Sequence, residues 1–364
     1  MRRLGVLAGS FDPVHEGHIA LAEEAKRRAG LDGVVLLPVA RTAPRDAEAP
    51  AQDRLTMCRI AAEEKEWITV SQAGMTGSAR ALADFLGPLR REYPCSRFTW
   101  ILGADEDAGL PEGRDRDRLL AECDFMTAPG NGETSSAKIR AMTAAYADAP
   151  GLNRRVLCYL AQRGLYQKDL LPKLRTMMNP RRFQHALGVR REAVRLADLH
   201  GAPVQRCALA GLLHDCAKGM PVKEMDRVAR ENKLVDDENM YGSGALLHAP
   251  VGAYLARKEF GVGDEEILNA IRSHTIGRAG MTKMELVIFV ADATEEGREN
   301  YEGLDAIRYL ADRSLPAAAL KSMQLTQDYL RSTGRPFFPV ALRAREYLES
   351  ILTANEKALL ASVG

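Results

Sequence analysis

Six of the seven histidines in this chain fall into two groups whose neighbours are suited to phosphate chemistry. The first group lies in Gly9-Ser10-Phe11-Asp12-Pro13-Val14-His15-Glu16-Gly17-His18. Two imidazoles three residues apart, at the start of a helix, share one side of a single turn. There they can donate hydrogen bonds to phosphate oxygens as charge develops in a transition state. The glycine ahead of them lets backbone approach a ligand, and a helix N-terminus offers unpaired N–H groups. The second group is His185, the His214-Asp215 pair, His248, His274 and Asp292. Imidazole and carboxylate are common ligands of divalent transition metals, and an adjacent His-Asp can serve two ions at once. So many ionisable groups near the ends of apolar helices would be costly to bury unless they coordinate something. His200 lies outside both groups and reads as a helix-surface residue, and Cys216 reads as a small buried hydrophobe.

The elements that must position these groups change character along the chain. Residues 4–8, 34–39, 68–71, 98–102 and 125–127 are short apolar runs that read as buried strands. Residues 19–28, 54–65, 79–91 and 135–147 scan as helices between or after them. Alternating strands and helices predict an α/β Rossmann-like domain, a doubly wound parallel sheet with ligands at the carboxyl ends of its strands. Residues 41–53 and 105–117 read as irregular segments beside that edge. After Gln167 the helical period takes over, at 184–199, 205–213, 222–232, 249–259, 265–273, 284–292 and 304–310. The expectation is an α/β domain over residues 1–167 followed by an all-α domain over residues 168–364.

Composition supports two domains and narrows their partners. A chain of 364 residues exceeds the usual single core. Residues 1–167 carry 22 Lys and Arg against 23 Asp and Glu, and the remainder 28 against 26, so neither half has the basic excess of a nucleic-acid binder. Arg181-Arg182 and Arg190-Arg191 read as solvated helix faces. The six cysteines form no CxxC pair, no signal peptide precedes the first strand, and no apolar run approaches the ~20 residues that span a bilayer. A reducing cytoplasm is the expected compartment, with no membrane partner. The sequence leaves an oligomer open.

The first signature contains neither a Walker A sequence nor GxGxxG. With Gly-Ser-Phe-Asp-Pro directly ahead of His-x-Gly-His, it resembles the HxGH nucleotidylyltransferase superfamily, most closely the nicotinate-mononucleotide adenylyltransferase family. Ile101-Leu102-Gly103-Ala104-Asp105 is similar to that family's ribose-contacting strand end. Ser135-Ser136-Ala137-Lys138-Ile139-Arg140 is similar to its second ATP-phosphate segment, and Val156-Leu157-Cys158-Tyr159-Leu160 with Gly164-Leu165-Tyr166 to its closing residues. The resemblance implies that a mononucleotide, nicotinate mononucleotide in that family, attacks the α-phosphate of Mg-ATP in line and releases pyrophosphate. It makes His15 and His18 the catalytic pair. Gly9, Ser10 and Phe11 would cradle the nucleotide, Gly103 and Asp105 would meet the ribose, and Ser135, Ser136, Ile139 and Arg140 would hold the ATP tail. The acceptor side departs from the family. Ala43-Pro44-Arg45-Asp46 stands for its Pro-Pro-His-Lys loop, and Ser78-Ala79-Arg80 for its Ser/Thr-Tyr-Thr step. Glu112-Gly113 follows Leu110-Pro111 where a tryptophan is usual. Losing that aromatic removes a stacking contact for a pyridine ring, on the order of 1 kcal/mol.

The second group is embedded in Arg182-Phe183-Gln184-His185, Leu213-His214-Asp215-Cys216-Ala217-Lys218 and His248-Ala249-Pro250-Val251-Gly252, then His274-Thr275-Ile276-Gly277-Arg278 and Val290-Ala291-Asp292. In that order they resemble the YqeK-type HD-domain hydrolases, from about residue 174 to about residue 347. The resemblance implies symmetrical cleavage of diadenosine tetraphosphate to two ADP at a pair of metal ions, iron in this reading. His185, His214, Asp215 and Asp292 would hold one ion, and Asp215 would bridge to a second held by His248 and His274. The metals would acidify a water and polarise the phosphoryl oxygen it attacks. Asp215 and Lys218 would take part in catalysis, and Lys218, Thr275, Gly277 and Arg278 would meet substrate. One departure, Glu295-Glu296-Gly297-Arg298 without the family's proline, is expected to leave the ligand positions untouched.

The leading expectation is therefore a bifunctional enzyme handling ATP, a mononucleotide and dinucleoside polyphosphates. Two others stay open. The first half could be a non-catalytic nucleotide-binding module, or the HD domain could act on a nucleoside triphosphate or cyclic dinucleotide.

Overall fold

The computed structural model describes residues 1–40, 47–75, 82–103, 114–128, 134–167 and 169–363. The chain divides into two compact units, Met1–Leu160 and Ala161–Gly364, a few residues ahead of the seam expected at 167/168.

Short apolar runs flanked by turn residues build the sheet of the first unit. Its strands are β1 (Arg2–Gly9), β2 (Gly33–Pro38), β3 (Ile68–Val70), β4 (Ser96–Gly103) and β5 (Asp124–Ala128). All pair in parallel, in the order β3-β2-β1-β4-β5. The helices are α1 (Glu16–Ala29), α2 (Ala51–Ala62), α3 (Leu86–Glu92), α4 (Arg114–Glu122), α5 (Ser136–Ala144) and α6 (Arg154–Arg163). β2, Gly-Val-Val-Leu-Leu-Pro, is buried at every residue, as a central parallel strand covered on both faces must be. Val6, Leu37, Phe98 and Trp100 pack with Phe85 and Leu89 on one side of the sheet. Both tryptophans of the chain, Trp67 and Trp100, belong to this unit. The strand order reverses between β1 and β4, whose carboxyl ends are Gly9 and Gly103. A doubly wound sheet opens its ligand crevice at such a switch point. Two expectations shift. Described residues of the stretch 79–91 form a short 3-10 turn, Leu82–Phe85, before α3, and the stretch expected to be irregular runs into α4 from Arg114.

Among its described residues the second unit has helices and connecting turns but no strand. It comprises α7 (Leu170–Met177), α8 (Pro180–His200), α9 (Val204–Leu213), α10 (Val222–Glu231), α11 (Gly244–Phe260) and α12 (Glu265–Ser273). They are followed by α13 (Lys283–Thr294), α14 (Leu304–Ala311), α15 (Leu315–Ser332), α16 (Pro339–Ile351) and α17 (Ala354–Ala361). α9 and α13 are apolar almost all round and are buried along nearly their whole length, as central helices must be. Side-chain caps start the helices that carry the chemistry: Asn179 caps α8, Asp264 caps α12, and Thr282 with Glu285 forms a capping box on α13. α11 begins five residues ahead of the expected start at 249. Pro250 suggests a helix start, yet the buried Leu246, Leu247 and Val251 carry the helix through it.

Two readings of the basic and histidine residues are corrected. Arg190 is not on a solvated face but is 1% exposed, donating from Nε to the Ala161 carbonyl (2.5 Å) and from Nη2 to Gln167 Oε1 (2.7 Å). His200 is half-buried, with Nε2 2.6 Å from the Ala311 carbonyl.

Candidate functional site

The first unit gathers its chemistry where β1 turns into α1. Phe11 takes a left-handed conformation (φ 47°), and its buried ring meets His18 edge-on, centroids 5.0 Å apart. His15 caps α1 with an extended backbone. Its ring lies over that of His18 at 3.8 Å between centroids. The backbone N–H of His15 donates to His18 Nδ1 (3.2 Å). A backbone amide can only donate, so Nδ1 holds the lone pair and the proton of the neutral ring sits on Nε2. Burial lowers His15 to about 4, and burial together with His15 lowers His18 to about 3. Both rings are therefore neutral near pH 7, and His18 is a fixed Nε2–H donor.

The second phosphate segment reaches the same place. Ser135 caps α5, and the Ser136 hydroxyl donates to the Pro13 carbonyl (2.9 Å). Arg140 donates to the Asp12 carbonyl (2.7 Å) and to Glu48 Oε1 (2.8 Å). The Asp12 carboxylate is itself held by the N–H groups of Glu48 and Ala49. Ile139 is turned away: its side chain is 1% exposed and its N–H bonds the Ser135 carbonyl, so it offers nothing to a ligand. Asp105 and the acceptor-side positions 43–46, 78–80 and 110–113 lie outside the described residues.

Arg54, which the sequence did not single out, is 1% exposed and donates to four carbonyls, those of Ser10, Val39, Ala40 and Ala49. It ties the β1–α1 loop to the end of β2. A lone arginine beside the buried run Leu55, Met57 and Cys58 was its only sequence trace.

In the second unit five helices deliver the metal-type ligands. His185 comes from α8, His214-Asp215 follows α9, His248 lies in α11, His274 follows α12 and Asp292 lies in α13. In each histidine Nδ1 faces an acceptor. His214 faces the Gly211 carbonyl (2.7 Å), His248 that of Gly244 (3.1 Å) and His274 that of Ile271 (2.7 Å). His185 faces Glu295 Oε1 (3.1 Å). Each Nδ1 therefore carries the proton, and four Nε2 lone pairs point inward.

Those lone pairs converge on Asp215. Its Oδ2 lies 3.6 Å from His214 Nε2 and 4.0 Å from His185 Nε2; its Oδ1 lies 3.3 Å from His248 Nε2 and 3.5 Å from His274 Nε2. Asp292 Oδ1 is 3.0 Å from His185 Nε2 and 3.7 Å from His214 Nε2. The two Asp215 oxygens thus face two separate histidine pairs, one of which is completed by Asp292. Buried His214 Nε2 and Asp215 Oδ1 make no hydrogen bond, and His248 Nε2 and His274 Nε2 face each other at 3.2 Å. The Thr275 hydroxyl, 3.1 and 3.2 Å from that pair, has one proton to share between two lone pairs. Lone pairs opposed across so small a gap repel unless a cation sits between them, so this donor set fits divalent metal.

The electrostatics follow. Burial lowers His214 to about 4. Burial would raise Asp215 and Asp292, but the imidazoles around them, and Arg298 at Asp292, hold both well below the usual carboxylate range. Lys218 Nζ is 3.0 Å from Asp215 Oδ2. Arg278 makes a two-pronged bond to the fully buried Glu285, and Gly277 N–H bonds the Ser273 carbonyl. Both brace the turn that carries His274 and Thr275. The Glu295 word touches a ligand after all, because Glu295 is the acceptor for His185. Gly188 makes room for it, since a Cβ there would stand 2.2 Å from Glu295 Oε2.

Comparisons with known proteins match two separate stretches of the chain. The cytidylyltransferase-like family matches residues 6–142, and the HD domain family matches residues 182–297. An HD domain implies divalent metal binding. The chain is similar to the symmetrical bis(5'-nucleosyl)-tetraphosphatase of Bacillus subtilis, 37% identical over 187 residues, covering 50% of this chain and 98% of the relative. It is also similar to a probable nicotinate-nucleotide adenylyltransferase of Gloeobacter violaceus, 34% identical over 140 residues, covering 37% of this chain and 68% of the relative. A Mycoplasma genitalium protein described as a probable nicotinate-nucleotide adenylyltransferase/Ap4A hydrolase is 26% identical over 353 residues, covering 91% of this chain and 99% of the relative.

Proposed function

Because the chain belongs to the nicotinate-nucleotide adenylyltransferase family through its first half and to the symmetrical bis(5'-nucleosyl)-tetraphosphatase family through its second, we propose a two-site enzyme. The first site transfers adenylate from Mg-ATP to nicotinate mononucleotide. The second hydrolyses diadenosine tetraphosphate to two ADP. The observation that carries the proposal is the convergence of four Nε2 lone pairs on the two oxygens of Asp215.

At the first site the acceptor phosphate attacks the α-phosphorus in line and pyrophosphate leaves. Such transfers need positioning and charge stabilisation more than covalent help. His18 Nε2–H supplies a donor whose direction its Nδ1 bond fixes, and His15 lies against the same ring. Arg140 and the start of α5 face the ATP tail, and Arg54 holds the Ser10 carbonyl that shapes the nucleotide cradle.

At the second site His185, His214 and Asp292 would hold one ion, His248 and His274 would hold a second, and the Asp215 carboxylate would serve both. We assign iron to both positions. When bound, the ions supply Lewis acidity that acidifies a water and polarises the phosphoryl oxygen. Lys218 sets a positive charge beside Asp215, where phosphate charge accumulates. Glu295 and the three backbone carbonyls keep each ring in the tautomer that coordinates. The free thiols of all six cysteines support a cytoplasmic enzyme, and among the described residues no helix is long and apolar enough to cross a membrane.

The test uses the full chain loaded with iron. Diadenosine tetraphosphate should yield ADP as the sole nucleotide product, whereas ATP with AMP, or no cleavage, would sink the second assignment. Asp215→Ala protein given Mg-ATP and nicotinate mononucleotide should form a dinucleotide and pyrophosphate, read by mass spectrometry. ATP binding without product would make the first half a nucleotide-binding module.

A further inference from the structure

One cleft of the second unit, about 1050 Å³, reaches the ligands His185 and Asp215. That volume stands at the upper end of sites that enclose a small organic ligand, ~300–1,000 Å³. Its walls carry five cations, and they are not equivalent. Arg181 pairs with Glu299, Arg298 with Asp292, and Lys218 with Asp215. Arg182 and Arg191 line the same cleft with no carboxylate partner among the described residues. Glu295 does not offset them, because its carboxylate is committed to His185 and the Gly297 N–H. Among the described residues of the lining, Tyr301, 43% exposed, is the sole Phe, Tyr or Trp.

Symmetrical cleavage adds a requirement. If the central anhydride lies at the metal ligands, a nucleoside diphosphate must extend away from them. We propose that this cleft holds that half of the substrate. Lys218 stands beside the phosphate under attack, Arg182 and Arg191 gather the phosphates farther out, and Tyr301 lies under the base. Guanidinium groups match phosphate oxygens in pairs, and an aromatic face stacks on any base. The proposal rests on the tetraphosphatase reading and adds the residues that select a nucleotide over a bare phosphoanhydride.

The test uses the full iron-loaded chain, ADP as ligand and diadenosine tetraphosphate as substrate. ADP is titrated calorimetrically into wild type and into Arg182→Gln/Arg191→Gln. Any ADP bound by the first unit is common to both proteins and cancels. The double variant should weaken one ADP site about tenfold or more and raise KM for the tetraphosphate by a similar factor, with kcat within about twofold. Tyr301→Ala should raise KM about tenfold, and Tyr301→Phe should restore it. An unaltered ADP isotherm with unaltered KM, in a chain that cleaves the substrate, overturns the cleft assignment and leaves the tetraphosphatase reading standing. A chain that does not cleave the substrate, yet loses ADP affinity with Arg182 and Arg191, overturns the tetraphosphatase reading and supports the nucleotide cleft.

Discussion

The two sites solve the problem of placing histidine in opposite ways. In the first unit both imidazoles come from one helical turn, and a backbone N–H makes the first ring nitrogen of His18 an acceptor. In the second unit four imidazoles come from four different helical segments, and in each the first ring nitrogen donates. The first arrangement presents a proton to an incoming ligand. The second presents bare lone pairs. The same side chain becomes a hydrogen-bond donor or a metal ligand according to which neighbour holds its other nitrogen.

That contrast can be broken at its strongest point by Asp215→Ala. Removing the carboxylate that faces both histidine pairs should lower tetraphosphate hydrolysis by about 10³-fold or more while leaving adenylyl transfer intact. Retention of more than a tenth of the hydrolase rate would mean that Asp215 does not serve both halves of the cage. His18→Ala is the converse experiment. Loss of one directed donor should reduce adenylyl transfer about 10²- to 10³-fold, with ATP affinity kept and hydrolysis untouched. A matching fall in ATP affinity would instead place His18 in ground-state binding.

Glu295→Ala sharpens the comparison on the metal side. Without its acceptor, His185 is free to change tautomer, and iron affinity measured by competition with a chelator should fall about 10- to 100-fold. Unchanged affinity would make Glu295 a packing residue only.

The smallest effect concerns pH and the stability of the first unit. His15 and His18 bind a proton near pH 6.5 when unfolded but only near 4 and 3 when folded. Between those values the unfolded chain binds more protons, so stability is full above about pH 6.5 and falls as pH drops toward 4. The loss should be at most on the order of 3 kcal/mol for each histidine across this window, less for His15, which is lowered less. Trp67 and Trp100 both lie in the first unit, so tryptophan fluorescence in denaturant follows that unit alone. A His15→Asn/His18→Asn protein should lack this part of the pH dependence. An identical slope in both proteins would assign it to carboxylates.

Much of this was legible because the periodicities are strong. Five apolar runs gave five strands in place, and the span 265–273 coincides with α12 to the residue. The six metal-type ligands could be named because a histidine or aspartate at the end of an apolar helix stands out against its neighbours. Partners set by tertiary contact left fainter traces. Glu295 sits in a word that differs from its relatives, yet only the fold shows it reaching His185. Arg190 read as surface charge and Arg54 was not singled out, because their acceptors, backbone carbonyls and for Arg190 also the Gln167 side chain, lie mostly on stretches that a local pattern does not record. Pro250 misplaced a helix start because packing outweighed a local preference.

The buried guanidinium of Arg190 has a consequence for dissecting the molecule. Two of its acceptors, the Ala161 carbonyl and Gln167 Oε1, lie just ahead of α7, in a stretch that resembles the closing residues of the adenylyltransferase family. A fragment that starts at Leu170 strips both acceptors from a cation shielded from water, at about 1–3 kcal/mol for each bond left unmade. A fragment that starts at Arg154 keeps them. A hydrolase that falters when cut at Leu170 would thus reveal the loss of acceptors that belong to its own unit, with no need for any message passing between the two sites.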